Sequence, residues 1–283
     1  MAFLSQAFFD ESGGHDKPFM VLGGYVGAVE MWKRFSDDWN AVLDGKADGL
    51  PAWPSFHSVE AENGKEGFGV LCPLQRKKRI GHLIAVIAKH RPIALLGTVD
   101  VPRFLAQVRA EMRDAGLEPR RKQYWNHPYS FLAYYSVGNL FNLCNAVGEK
   151  TAAEIGTIEP VFDHMDKIGG ATRKMIQFGV IEAVTESEPG SIAKRVGSPR
   201  WIQRNERANW SQLQAADLLV WHHGRAKNSK EPHRRAYRSL QAAAKPYHSY
   251  GRVDLQNVWI RGHVGDLLHG RTWTPNFEIG KGD

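Results

Sequence analysis

Ala7-Phe8-Phe9-Asp10-Glu11-Ser12-Gly13 is the stretch that decides the fold. A strand-like apolar run ends on a carboxylate, and the residues from Glu11 to Pro18 are rich in turn formers. A second aromatic and β-branched run, Phe19 to Val26, then follows, so the start of the chain is expected to form an antiparallel hairpin. Side chains alternate along an extended chain, which sends Asp10 and Glu11 to opposite faces and makes Asp10 the better candidate ligand, with Glu11 in reserve.

Working outward, the pattern alternates between helices and strands. Val29 to Leu43 places Met31, Trp32, Phe35, Trp39 and Leu43 near helical spacing, and Leu74 to His90 repeats this with Ile80, Leu83, Ile84 and Ile87. Ile93 to Val101 is expected as a buried strand, Pro102 to Ala115 and Pro128 to Val147 as helices, Ile158 to Asp163 as a strand and Ala171 to Thr185 as a helix. Gly49 to Pro73 suggests a loop around a short strand, and Ile192 to Ile202 an irregular basic strand or loop. A helix opens at Ser211, where Ser211-x-x-Gln214 matches a capping box. This alternation predicts one α/β or α+β domain over 1–283, and the hairpin excludes an all-parallel sheet. Insertions are expected at about 45–73 and 102–150, with a basic extension from about 226 to 283.

Composition narrows the function classes. No apolar stretch approaches the roughly 20 residues of a membrane span, the first residues lack a secretory pattern, and Cys72 and Cys144 are far apart. A cytoplasmic protein with no membrane partner is expected. The formal charge of +7 is concentrated: Lys194 to Arg238 alone nets +8, a local field that attracts phosphates and makes nucleic acid a candidate partner. Within it, Arg200-Trp201-x-x-Arg204-x-x-Arg207-x-x-Trp210 interleaves cations with rings, as does Arg120-Arg121-Lys122-x-Tyr124-Trp125. Cations neutralise phosphates and rings stack on bases; the competing reading buries the tryptophans in the core.

Three acidic side chains stand in apolar surroundings: Asp10, Asp163 after Pro160-Val161-Phe162, and Asp217 within the apolar helix Leu213 to Trp221. A buried carboxylate is costly unless a cation or hydrogen-bond donors compensate it, and oxygen ligands favour a hard ion such as Mg²⁺ or Mn²⁺. The alternative for Asp217 is a structural role, capping a neighbouring element or pairing with Arg204 or Arg207. His57 and Glu60, in Phe56-His57-Ser58-Val59-Glu60, are further candidates, whereas His222 and His223 are assigned to a solvated basic face. Gly23-Gly24-Tyr25-Val26-Gly27 fits neither a P-loop nor a dinucleotide fingerprint, and no Gly-x-Ser-x-Gly elbow occurs.

Taken in order, Phe8-Phe9-Asp10-Glu11-Ser12-Gly13, Gly23-Gly24-Tyr25 with Trp32 and Trp39, Phe56 to Glu60, Val161-Phe162-Asp163 and Leu213-Gln214-Ala215-Ala216-Asp217-Leu218-Leu219 resemble the bacterial and phage family called domain of unknown function 3800. The likeness spans roughly Phe3 to Arg225. It implies a divergent ribonuclease H-like fold, a mixed sheet that begins with antiparallel strands and gathers acidic residues from strand ends and a late helix. By that resemblance Asp10, Asp163 and Asp217 are the metal-holding carboxylates, and the fourth acidic position falls to Glu60 or Glu11. The expected function is a metal-dependent phosphodiesterase acting on DNA or RNA, with His57 as proton carrier and Arg200, Arg204, Arg207 and Trp210 on the nucleic acid. The rival expectation is a non-catalytic nucleic-acid- or partner-binding module on the same fold.

Overall fold

The computed structural model describes residues 5–13, 17–114, 127–146, 156–163, 195–202, 206, 210–228, 235–243 and 245–246. Strands β1 (Ser5–Ser12) and β2 (Phe19–Ala28) form the expected hairpin, and β3 (Ile93–Asp100) continues it antiparallel. On the other side of β1 lies β4 (Ile158–Asp163), parallel, followed by the short parallel β5 (Arg200–Ile202). With the two-residue β6 (Lys245–Pro246) beside β3, the order is β5-β4-β1-β2-β3-β6. The architecture is therefore a mixed α/β sheet flanked by helices, with the opening strand at its centre.

Pleat alternation divides the strand residues between two apolar clusters. Ala7, Phe9, Met20, Leu22 and Phe162 pack with α4 (Val101–Asp114) and α5 (Pro128–Ala146). Phe8, Tyr25 and Val161 pack on the opposite face with α1 (Val29–Leu43), α3 (Pro73–His90) and α6 (Ser211–Asn228), which α7 (Arg235–Ala243) joins through Leu240 and Ala243. Helix α1 buries Trp32, Phe35, Trp39, Val42 and Leu43, one stripe at spacings of three and four. Among the described residues no helix is long and apolar enough to cross a membrane.

The Gly23-Gly24 pair serves sheet packing. A methyl group at Gly24 would overlap the Phe8 carbonyl, and one at Gly23 would come 2.7 Å from the Leu95 carbonyl oxygen. Only hydrogen allows β2 to sit this close to both neighbours.

Three expectations need correction. Asp10 does not end its strand: β1 runs on through Glu11 to Ser12, because the hairpin ladder extends to Ser12↔Val21. The segment after Gly49 holds a short helix, α2 (Ser58–Asn63), and a 3-10 turn, Phe68–Val70, instead of a strand. Gly64, at φ 64°, stops α2 in the left-handed conformation that glycine tolerates best. Nor does the capping box form, since Ser211 is already helical and bonds Ser36, while the Gln214 side chain is engaged by Trp39 and Phe56. The expected helix at 171–185 lies outside the described residues.

A buried ion pair ties down the connection between α1 and α2. Arg79 and Asp48 have fully buried side chains joined at 2.7 and 3.1 Å. Arg79 also donates to the carbonyls of Leu50 and Pro51 and lies 5.1 Å from the centre of the Trp53 ring. The loop is thereby held on α3, and its far end delivers Phe56, His57 and Ser58 to α6.

Candidate carboxylate site

Asp10 is 3 % exposed and pairs across the hairpin with Gly23. Asp163 is 6 % exposed and lies one step beyond the last β1–β4 pair, Phe9↔Phe162. Adjacent strands lie about 4.8 Å apart, so this register brings the two aspartates to neighbouring positions. Both share the pleat parity of Phe8 and Val161 and so face α6, whereas Glu11 faces α5.

Helix α6 brings in the third carboxylate. Trp210, just before it, packs 5.9 Å from the Phe8 ring, and a methyl at Gly224 would touch the Ser12 side chain. Asp217 is midway between those positions on the same helical stripe, about two turns from each, as Asp10 is midway between Phe8 and Ser12 on β1. Asp217, 6 % exposed, therefore crosses β1 at the level of Asp10. The two carboxylates hold backbone donors: Asp10 Oδ1 accepts from the Glu11 N–H at 2.8 Å, and Asp217 Oδ2 from the Ser58 N–H at 2.6 Å.

The negative charge of this corner reaches across the sheet. Tyr129, at the start of α5, has its hydroxyl pKa pushed well up, first by burial, then by the charge of Glu11, with Asp10 and Asp163 adding to the effect. Among the described residues, however, no group of three or more His, Cys, Asp or Glu side chains is gathered to hold a metal ion. Donor chemistry and shared face suit Mg²⁺ or Mn²⁺, while the side chains as placed leave the set unclosed.

The second candidate pair sits at the rim. His57 is the N-cap of α2 and its Nδ1 contacts Glu60 Oε2, one turn into the helix. Because the next backbone N–H, that of Ser58, is bonded to Asp217, the pair is brought to the outer side of that carboxylate. Gln214 fixes the same junction, its Oε1 accepting from Trp39 Nε1 and from the Phe56 N–H, both at 3.0 Å.

Sequence reasoning missed Glu62 and misplaced the histidines. His222 and His223 are buried at 2 and 8 % exposure, a correction that follows from α6 being enclosed on nearly every side. His222 Nε2 is 3.7 Å from Glu62 Oε1, and Arg225 Nη1 is 3.3 Å from Glu62 Oε2, so Glu62 clips α2 to α6. Ser58, Glu60 and Glu62 followed by Gly64 was the available signal for a helix here.

His223 meets Thr98 Oγ1 at 3.0 Å, and burial, helped by Lys227, holds its pKa down to about 4 from 6.5. In the unfolded chain the imidazole takes up its proton near the ordinary value, so between those pH values the unfolded state binds more protons. Stability due to this residue is thus complete above about pH 6.5 and is lost as pH falls towards 4, by roughly 3 kcal/mol at the end of that window. Thermal melts across this range should show the acid-induced fall, and His223→Gln should flatten it relative to the parent.

Of the proposed nucleic-acid contacts, Arg204 and Arg207 lie outside the described residues. Arg200 is half-exposed, bonded to Glu159 Oε1 at 3.3 Å and centred 4.9 Å over the Trp210 ring, whose neighbour on α6's sheet side is Phe8. No protein-family model, curated protein or solved structure matches the chain.

Proposed function

We propose that this protein is a divalent-metal-dependent phosphodiesterase acting on nucleic acid, built on a ribonuclease H-like sheet of the domain of unknown function 3800 type. The supporting observation is positional: two adjacent strands and one helix present Asp10, Asp163 and Asp217 to the same face of one sheet, each nearly buried. Like charges brought together in this way repel, and a cation among them relieves that repulsion. Mg²⁺ or Mn²⁺, when bound, would supply Lewis-acid stabilisation of charge on a phosphodiester. The chain's own contribution is to fix the carboxylates, exclude bulk water through α6 and α2, and present the half-exposed His57, with Glu60 orienting its ring, as a proton acceptor at the rim. The free, exposed Cys72 suits a reducing, cytoplasmic setting.

The test is a panel of labelled DNA and RNA strands incubated with Mg²⁺, Mn²⁺ or EDTA. Product with either metal and none in EDTA is the expected result. An absence of product from every substrate, with binding retained, would overturn it in favour of a non-catalytic nucleic-acid- or partner-binding module. That second reading is favoured by the unclosed carboxylate set among the described residues.

A further inference from the structure

We infer that Trp221 and Arg225, in the C-terminal half of α6, form a docking step for single-stranded nucleic acid beside the carboxylates; the inference rests on the phosphodiesterase reading of that site and names where its substrate lies. Asp217, Trp221 and Arg225 follow one another at intervals of four residues, about one helical turn and 6 Å each, so the buried carboxylate, the ring and the cation form a ladder rising out of the sheet. Exposure rises along it: Asp217 is buried, Trp221 partly exposed, and the Arg225 side chain is 39 % exposed.

The ladder points towards the edge where a substrate would enter. Trp221 is about three turns beyond Trp210 and on the same stripe, the one that at Trp210 meets β5 through Arg200. Its helical phase lies between that of Gly224, which abuts Ser12 on β1, and that of Arg225, which meets Glu62 on α2. His57 and Glu60, with side chains 37 and 22 % exposed, rise beside Asp217 on the α2 side.

The chemistry of the pair suits an unpaired nucleotide. The Arg225 guanidinium lies 5.4 Å from the centre of the Trp221 ring, giving a flat cationic and aromatic surface on which a base can stack, with the charge available to the adjoining phosphate. The indole Nε1 of Trp221 is buried with no hydrogen-bond partner among the described residues. Glu62, 3.3 Å from Arg225 and 17 % exposed, is its carboxylate partner, so a phosphate reaching Arg225 competes with a partly buried pair. Lys227 stands in the same last turn, adding positive charge at the helix C-terminus. Stacking of this type needs bases out of a duplex, so a single strand is the ligand chemistry selected.

Fluorescence anisotropy of the full chain in EDTA tests this, with a dye-labelled oligothymidylate, an oligouridylate and a duplex of equal length as probes. Trp221→Ala and Arg225→Gln should each weaken single-strand binding by about tenfold. Arg225→Gln should also lower the salt slope by about one. Trp221→Phe, which keeps a ring, should restore most of the affinity and controls for misfolding, and Lys33→Ala, on the exposed face of α1, should leave it unchanged. Parent-like affinity in both Trp221→Ala and Arg225→Gln, stronger binding to the duplex, or no single-strand binding by the parent would overturn the inference. Because EDTA blocks cleavage, Trp221-dependent binding by a protein that cuts nothing would sink the phosphodiesterase reading alone.

Discussion

Asp217→Asn is expected to abolish metal-dependent cleavage while leaving the fold intact. Asparagine keeps the shape of the side chain and an oxygen able to accept the Ser58 N–H, so the bond that seats α2 on α6 survives. What disappears is the negative charge opposite Asp10. A loss of about 4 kcal/mol of transition-state stabilisation corresponds to about a thousandfold in rate, the scale expected for a carboxylate that holds a catalytic cation. Asp10→Asn should do the same. Each substitution also relieves repulsion in the metal-free protein, so its melting temperature should hold or rise in EDTA while the upward shift produced by Mn²⁺ shrinks. Cleavage at the parental rate by both variants would remove the carboxylates from the mechanism. A lowered melting temperature in EDTA would mark them as structural.

The second large effect concerns stability. Arg79→Ala leaves the Asp48 carboxylate buried without its guanidinium and strips the Leu50 and Pro51 carbonyls of their donor. Breaking a buried pair from one side costs about 3–5 kcal/mol. For a chain of this size that is about 10 °C in melting temperature. Arg79 holds the Asp48 carboxyl below its usual range, so the pair's contribution is full above the ordinary carboxylate value and is lost as pH falls through the lowered one. The double variant Asp48→Leu, Arg79→Met, which leaves no unpaired charge, should recover part of the loss. Since the same loop seats Phe56 and Ser58 on α6, Arg79→Ala should also depress cleavage below the unfolding transition.

What was legible in the sequence follows from how local each signal is. The hairpin, α1 and α3 were plain because aromatic and aliphatic residues recur at one period over many positions; the bounds of β2, α1 and α3 fall within two residues of those expected, while β1 runs three residues past Phe9. Asp10, Asp163 and Asp217 stood out because charge interrupts apolar runs, a contrast that needs no knowledge of the fold. Their sharing of one face required the parallel β1–β4 register, a pairing between distant segments that no local window contains. Helix α2 was missed because six residues bearing two glutamates show almost no period, and it is held by contacts from Asp217, His222 and Arg225. His222 and His223 were misplaced for the converse reason. Adjacent histidines suggest a wet surface, yet α6 is covered on nearly all sides, and Thr98 and Glu62 supply the polar partners.

The position of β1 between β2 and β4 governs how the protein is made. Its antiparallel neighbour emerges from the ribosome at once, but its parallel one must wait: the Gln6–Glu159 contact closes a separation of 153 residues, and the Ser58–Asp217 bond one of 159. Such distant pairings slow folding and keep an early hairpin waiting with one edge open. During synthesis the chain therefore carries Asp10 for most of its length without Asp163 or Asp217 beside it. The three aspartates come to share one face only after α6 has left the exit tunnel.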